Sequence, residues 1–109
     1  ETARNFRELR HRISTETRAR TVWITPPAVD EAKVAAHAGL ARFGVRFRNQ
    51  DLARVAEIVR GVDRAVIDAF SALGTPPAAD LLVGDGLHFT VAGQRRLARE
   101  VLEGWSKLA

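Results

Sequence analysis

The sequence predicts an α/β fold built around a parallel sheet. Two short apolar runs are predicted as strands, "TVWIT" at residues 21–25 and "RAVIDAF" at residues 64–70. Both are nearly continuous in apolar residues, which is typical of strands that are covered on both faces. Helical patterns precede, separate and follow these runs, and that alternation is typical of a parallel sheet whose strands are joined by helices.

The first helix is predicted over residues 2–17, where Phe6, Leu9 and Ile13 recur at near-helical spacing. The opposite side of this helix is strongly basic. Arginines occupy six positions in the first twenty residues: Arg4, Arg7, Arg10, Arg12, Arg18 and Arg20. A basic segment can bind nucleic acid, and steeply salt-dependent binding would identify that function. However, no aromatic side chain is interleaved with these arginines to stack on bases, so we favour a solvated helix face and predict no nucleic-acid partner.

Two further helices are predicted between the strands. The first strand should stop at Pro26 and Pro27, because proline cannot donate to a sheet. Residues 30–44 form one helix candidate, weakened by Gly39, and residues 49–62 form a stronger one. The stronger helix carries a single apolar stripe: Leu52, Val55, Ala56 and Val59.

Capping residues set the predicted helix ends. Asn49 is the expected N-cap of the stronger helix, and Gly61 its expected end. The last helix should begin after Thr90, since threonine is a good N-cap residue. Its predicted inner face consists of five residues: Leu97, Ala98, Val101, Leu102 and Trp105.

Two strands make an incomplete sheet. Such a sheet has two open edges and too little surface to cover the helices that the sequence predicts. The chain also contains no methionine and starts at Glu1. We therefore expect residues 1–109 to be the C-terminal segment of one larger domain, whose remaining strands come from a missing N-terminal segment or a separate chain.

Composition narrows the possible functions. Of the 109 residues, 46% are hydrophobic and 28% charged, which is ordinary for a globular domain. No apolar run is long enough to span a membrane, so no membrane span is predicted. There is no cysteine, which excludes disulfides and thiolate metal sites. His11 and His37 have no partner at metal-ligand spacing, and we predict neither a metal nor a cofactor.

The stretch "GDGLHF" at residues 84–89 holds the strongest chemical signal. An aspartate that accepts a hydrogen bond from the Nδ1–H of a histidine leaves Nε2 free to act as a base. Gly86 permits the tight bend that brings the carboxylate of Asp85 back towards His88. The pair also falls in a loop before the last helix, and ligands of open α/β sheets bind beside such loops. The alternative is structural, because Asp-Gly is a common turn dipeptide and the pair could simply brace the loop.

These residues carry a family resemblance. "LLVGDGLHFTVAGQRRLAREVL" at residues 81–102 resembles the last conserved block of the SGNH, or GDSL-type, hydrolases. "VWITPPAVDEAK" at residues 22–33 and "AVIDAFSAL" at residues 65–73 stand where that family has its later strands. The resemblance covers essentially the whole chain and is nearest to small-ester esterases similar to isoamyl acetate-hydrolysing esterase.

The resemblance implies a fold and a mechanism. The family fold is a flavodoxin-like three-layer α/β/α sandwich with a central parallel sheet. His88 matches the catalytic general base, and Asp85 matches the carboxylate that orients it. The family's serine nucleophile, and the glycine and asparagine of its oxyanion hole, belong to three earlier blocks that this sequence lacks. The implied partner is the N-terminal portion of the same protein, which carries the serine.

No serine of this chain is a good substitute for the missing nucleophile. Ser14 lies in the basic helix, Ser106 lies near the end of the chain, and Ser71 follows the second predicted strand. None stands on the glycine-flanked turn that exposes a nucleophilic serine. We therefore expect the chain to be inactive alone and to act on small or acyl esters only together with its serine-bearing portion.

Apolar residues near the pair are candidates for substrate binding. Leu87 adjoins His88, while Pro26, Pro27 and Val29 follow a strand end on the same predicted edge. Leu87 is equally suited to anchor the loop in the core. Two other functions stay open from the sequence, namely an acyltransferase with the same triad and a non-catalytic interaction module.

Overall fold

The computed structural model describes residues 1–108. In this range the chain folds into helices packed around two parallel strands. The elements follow in the order α1 (Thr2–Glu16), β1 (Trp23–Ile24), α2 (Glu31–Ala36), α3 (Ala38–Arg42), α4 (Asn49–Arg60), β2 (Val66–Ile67), α5 (Ala69–Leu73), a 3-10 turn (Ala79–Leu81) and α6 (Val91–Leu108). The predicted alternation of helices and parallel strands is therefore confirmed.

The sheet has a fixed register. Trp23 lies opposite Val66 and Ile24 opposite Ile67, and the backbone N–H of Thr25 donates to the carbonyl of Ile67 at 3.1 Å. Neighbouring residues of a strand point to opposite faces. The Trp23–Val66 pair therefore faces one side of the sheet and the Ile24–Ile67 pair the other.

The second strand is shorter than predicted. Asp68 caps α5, because its carboxylate accepts from the backbone N–H of Ser71 at 3.3 Å. Helical geometry therefore begins at Ala69, and the prediction of a strand as far as Phe70 is wrong.

Helices α1 and α4 cover one face of the sheet. Trp23 is 9% exposed and packs against Val59 of α4, and its ring meets Phe6 of α1 edge-on with centroids 5.9 Å apart. An ion pair between Arg10 and Asp63, 2.8 Å long, ties α1 to the segment that follows α4. The apolar stripe predicted for α4 is thus confirmed as its buried side, although Leu52 and Val55 are only half-buried.

Helix α6 packs on the other face, over β2. The backbone of α6 approaches β2 so closely that a Cβ on Gly104 would lie 2.8 Å from Cγ1 of Ile67. At the other end of α6, a Cβ on Gly93 would lie 2.1 Å from the carbonyl oxygen of Leu81. The predicted start of this helix is confirmed, since the hydroxyl of Thr90 accepts from the Gly93 N–H at 3.0 Å.

The helix predicted over residues 30–44 is instead two short helices. The break falls at His37, which ends α2 and begins α3, rather than at Gly39. Nδ1 of His37 accepts from the backbone N–H of Leu40 at 3.4 Å, so this side chain serves as the cap of α3.

Asn49 does not cap α4 as the sequence suggested. Its amide group instead bonds both backbone groups of Val29, at 2.8 Å each, and Arg48 occupies the N-cap position. The end of α4 at Gly61 is confirmed. The long-range use of Asn49 fixes the segment after β1 against the start of α4.

The free edge of β1 adjoins an exposed apolar surface. Within residues 1–108, β1 pairs only with β2. Alternate backbone groups of a strand point to opposite edges, so the N–H and C=O of Ile24 point away from β2. Ile24 is 46% exposed, Leu102 70% and Trp105 57%. The predicted inner face of α6 is therefore covered only in part, with Leu97 and Val101 half-buried.

Candidate active site

The Asp–His pair sits on a closed loop between the 3-10 turn and α6. Leu82 and Phe89 form an isolated antiparallel bridge at the base of this loop. Above the bridge, the Val83 N–H donates to the His88 carbonyl at 2.9 Å, and the Gly86 N–H donates to the Val83 carbonyl at 3.0 Å. These bonds fix the backbone on both sides of the pair.

Gly86 presses the loop against the start of α2. Its φ of +73° favours glycine, and a Cβ at this position would lie 2.7 Å from both the Asp30 carbonyl oxygen and Cβ of Lys33. The Gly86 carbonyl accepts from the Asp30 N–H at 2.9 Å. The tight bend that the sequence predicted at Gly86 is therefore present, and the neighbouring helix leaves no room for a side chain there.

Asp85 forms three hydrogen bonds, two of them with His88. Its Oδ2 lies 2.5 Å from Nδ1 of His88. Its Oδ1 accepts from the backbone N–H groups of Leu87 at 2.8 Å and His88 at 3.0 Å. The two side chains differ sharply in exposure, at 10% for Asp85 and 70% for His88. A buried carboxylate thus supports an imidazole whose outer part is open to solvent.

The charge state of Asp85 decides the tautomer of His88. Burial raises the pKa of Asp85, but the hydrogen bonds from the His88 ring and from the Leu87 and His88 backbone outweigh it and lower the pKa to about 2. The carboxylate is therefore ionised at neutral pH and can only accept. In the neutral ring, Nδ1 must then carry the proton, which leaves the lone pair on Nε2.

Nε2 of His88 has no hydrogen-bond partner among residues 1–108. The three serines are used elsewhere. Ser14 donates to the His11 carbonyl at 2.8 Å, Ser106 donates to the Glu103 carbonyl at 2.8 Å, and Ser71 donates to Asp68. In the described part of the chain, no serine hydroxyl is hydrogen-bonded to the imidazole.

The predicted substrate-binding residues fall into two groups. The Asp30–Gly86 hydrogen bond brings the segment after β1 against the Asp–His loop. Leu87, Pro26 and Pro27 are half-buried, and a role in substrate binding remains a prediction for them. Val29 is only 3% exposed, so its side chain offers almost no surface to a ligand, and its burial gives no support to such a role.

A second polar cluster, which no motif in the sequence indicates, joins the carboxyl ends of the two strands. Asp68 accepts from Thr25 at 2.9 Å, from Arg60 at 2.9 and 3.1 Å, and from the Ser71 hydroxyl at 2.8 Å. Burial raises the pKa of Asp68, but these hydrogen bonds lower it to about 2. The hydroxyl of Thr25 also accepts from the Phe70 N–H at 2.9 Å. Because Thr25, Arg60, Asp68 and Ser71 hydrogen-bond one another, the role of this cluster is to hold β1, β2 and α5 together.

Neither a metal centre nor a membrane-spanning element is found in residues 1–108. No three histidine, cysteine, aspartate or glutamate side chains in that range are grouped to hold a metal ion. His11 lies on α1, and His37 caps α3. None of the helices described in that range has the length and apolar character needed to cross a bilayer.

Fold and site together define a mixed α/β protein in which an ionised carboxylate orients a solvent-exposed imidazole. Comparison with known proteins adds no further assignment, because no family model, no curated protein and no solved structure matches this chain. Functional inference therefore depends on the geometry of the site.

Proposed function

We propose that this chain carries the Asp–His part of the Ser-His-Asp triad of an SGNH-type serine esterase that acts on small or acyl esters. One observation carries the proposal. Asp85, with both oxygens engaged, meets Nδ1 of an exposed His88 whose Nε2 is unused. A loop brace alone has no need of an imidazole that is open to solvent on its outer side.

The proposed reaction is acyl transfer in two steps. A serine hydroxyl attacks the ester carbonyl while Nε2 of His88 takes the hydroxyl proton. The proton then passes to the leaving alcohol as the bond between the acyl carbon and the alcohol oxygen breaks. Water attacks the acyl-enzyme in the same way and releases the acid. Asp85 keeps the ring in position and stabilises the charged imidazolium, and general acid–base assistance of this kind is worth roughly 10²–10⁴ in rate.

We further propose that the serine belongs to a stretch of polypeptide outside residues 1–109. Support comes from the three serines of this chain, each of which donates to a group other than His88. The oxyanion donors would come from the same outside stretch.

The unpaired edge of β1 gives that stretch a place to dock. An added parallel strand would satisfy the backbone groups of Ile24 and cover Ile24, Leu102 and Trp105, which are all exposed here. Such completion would turn the two-stranded sheet into the flavodoxin-like three-layer sandwich, since helices already lie on both of its faces.

A non-catalytic interaction module is the second candidate, and the same exposed apolar surface favours it. The two candidates differ at His88, because a docking module does not need the imidazole. An acyltransferase would share the triad and differ only in its acceptor, so analysis of the products in water and in added alcohol separates it from an esterase.

Hydrolysis of p-nitrophenyl acetate by the full-length protein tests the proposal. His88→Ala should reduce kcat by several orders of magnitude, since it removes the general base. His11→Ala is the matched control, because His11 is an exposed histidine on α1, and it should leave kcat unchanged. Full activity in the His88→Ala protein would reject the catalytic assignment and leave the interaction module.

A further inference from the structure

We propose that a groove between α2 and the connection from α3 to α4 binds an anionic amphiphile, meaning a single apolar chain that ends in a carboxylate or phosphate. The groove has a volume of about 700 Å³. This volume falls within the range of small-molecule sites, roughly 300–1,000 Å³. The inference does not rest on the proposed esterase function.

Apolar side chains line the groove on two sides. Ala35 contributes from α2 and Ala41 from α3, and both are exposed. Val45 and Phe47 line the groove from the opposite side, and both are half-buried. An apolar chain laid between these walls would cover surface that is otherwise in contact with water, which is favourable.

The rim of the groove is positively charged. Arg46 and Arg48 line it, both are exposed, and neither forms an ion pair with any residue in the range 1–108. Guanidinium groups bind carboxylate and phosphate with two parallel hydrogen bonds, so an anionic head group complements this rim.

Glu31 is the one acidic residue among those that line the groove, and its position is already fixed. Its Oε1 accepts from the backbone N–H of Asn49 at 2.6 Å, at the start of α4. The charges of Arg46 and Arg48 outnumber the single negative charge of Glu31, so the lining of the groove has a net positive charge. This balance favours an anion over a neutral or cationic amphiphile.

The shape of the site favours a single chain over a nucleic acid or a membrane surface. Phe47 forms part of a wall and is half-buried, so it does not present an open face on which a base could stack. Phe43 is 79% exposed but does not line the groove. A concave apolar site matches one chain better than it matches a flat bilayer.

Calorimetric titration of the full-length protein with decanoate tests this inference. The protein should bind decanoate, and it should bind 1-decanol and acetate much more weakly, because one lacks the charge and the other the chain. The double variant Arg46→Gln/Arg48→Gln should weaken decanoate binding by about tenfold or more. The matched control is Arg95→Gln/Arg99→Gln, which alters two exposed, unpaired arginines of α6 and should leave the affinity unchanged.

A second variant tests the groove by its shape. Ala35→Trp would fill the groove from an exposed position on α2 and should abolish decanoate binding, with circular dichroism confirming that the protein is folded. Three results would overturn the inference: no binding of decanoate, equal affinity in the double variant, or binding only to phosphatidylglycerol vesicles or an oligonucleotide. His88→Ala should not change decanoate affinity, which separates this result from the fate of the esterase proposal.

Discussion

At the scale of single residues, the chemistry of the site depends on how Asp85 is held. One carboxylate oxygen is occupied by two backbone donors and the other by the His88 ring, so the side chain has no freedom to turn away. The hydrogen bonds from the His88 ring and from the Leu87 and His88 backbone lower the pKa of the carboxyl group and keep it ionised in spite of its burial. Asp85 therefore acts through His88, as a positioning residue for the proposed base.

Asp85→Asn in the full-length protein tests that positioning role. The amide oxygen of an asparagine can still accept from the backbone N–H groups of Leu87 and His88. Its NH₂ group would then face Nδ1 of the ring and favour the tautomer with the proton on Nε2. We expect kcat for p-nitrophenyl acetate to fall by roughly 10³–10⁴-fold, with a smaller change in KM. An unchanged kcat would mean that the ring needs no carboxylate to act.

The two depressed carboxyl groups predict how stability depends on pH. The pKa values of Asp85 and Asp68 are both about 2 in the folded protein, below the ordinary value of about 4. Their contribution to stability is therefore present above about pH 4 and is lost as the pH falls towards 2. The urea midpoint should decrease over this interval, and Asp68→Asn should lower the midpoint at pH 6 while flattening the decrease. A midpoint that is equally pH-dependent in that variant would contradict the assignment.

At the scale of elements, one glycine couples the Asp–His loop to α2. Gly86→Ala would place a methyl group 2.7 Å from the Asp30 carbonyl oxygen in a backbone conformation that alanine disfavours. We expect a loss of stability of about 2 kcal/mol or more in urea unfolding. Gly84→Ala is the matched control, since its Cβ would meet no atom within 4 Å, and it should cost far less. Equal effects at both positions would show that the loop does not need this contact.

The sequence predicted those elements whose signals are local. Thr90 caps α6, and Asp85 pairs with His88, because the partners lie within three residues of each other. One local signal was missed: Asp68 caps α5 through the backbone N–H of Ser71, three residues on, and so ends β2 early. Signals that depend on distant residues were also missed, such as the bond between Asp68 and Thr25, 43 residues away in the chain. Asn49 was predicted as a cap, but it bonds Val29, 20 residues earlier. The groove behind α2 likewise depends on how two separate segments pack, which no spacing pattern reveals.

At the scale of the whole molecule, the free edge of β1 and the exposed surface beside it support our proposal that further strands extend the sheet. Leu102 and Trp105 lie on the predicted inner face of α6, yet they are 70% and 57% exposed. A completed sheet would bury both side chains and satisfy the backbone of Ile24. The position of the proposed serine depends on the same docking event.

Tryptophan quenching in the full-length protein tests this completion. Trp23 is 9% exposed and Trp105 57% exposed in the chain described here. Two variants, Trp23→Phe and Trp105→Phe, each keep one of these tryptophans, and any tryptophans outside this chain are replaced in both. Acrylamide should quench the emission of Trp105 in the first variant as weakly as it quenches that of Trp23 in the second. Strong quenching of Trp105 alone would show that nothing covers this face.

Locating the nucleophile that Nε2 of His88 serves tests the proposed triad. A fluorophosphonate probe should label one serine of the full-length protein, and peptide mapping should find that serine outside residues 1–109. Labelling should be lost in the His88→Ala variant and retained in His11→Ala. Labelling of Ser14, Ser71 or Ser106, or labelling at the native rate without His88, would contradict the account.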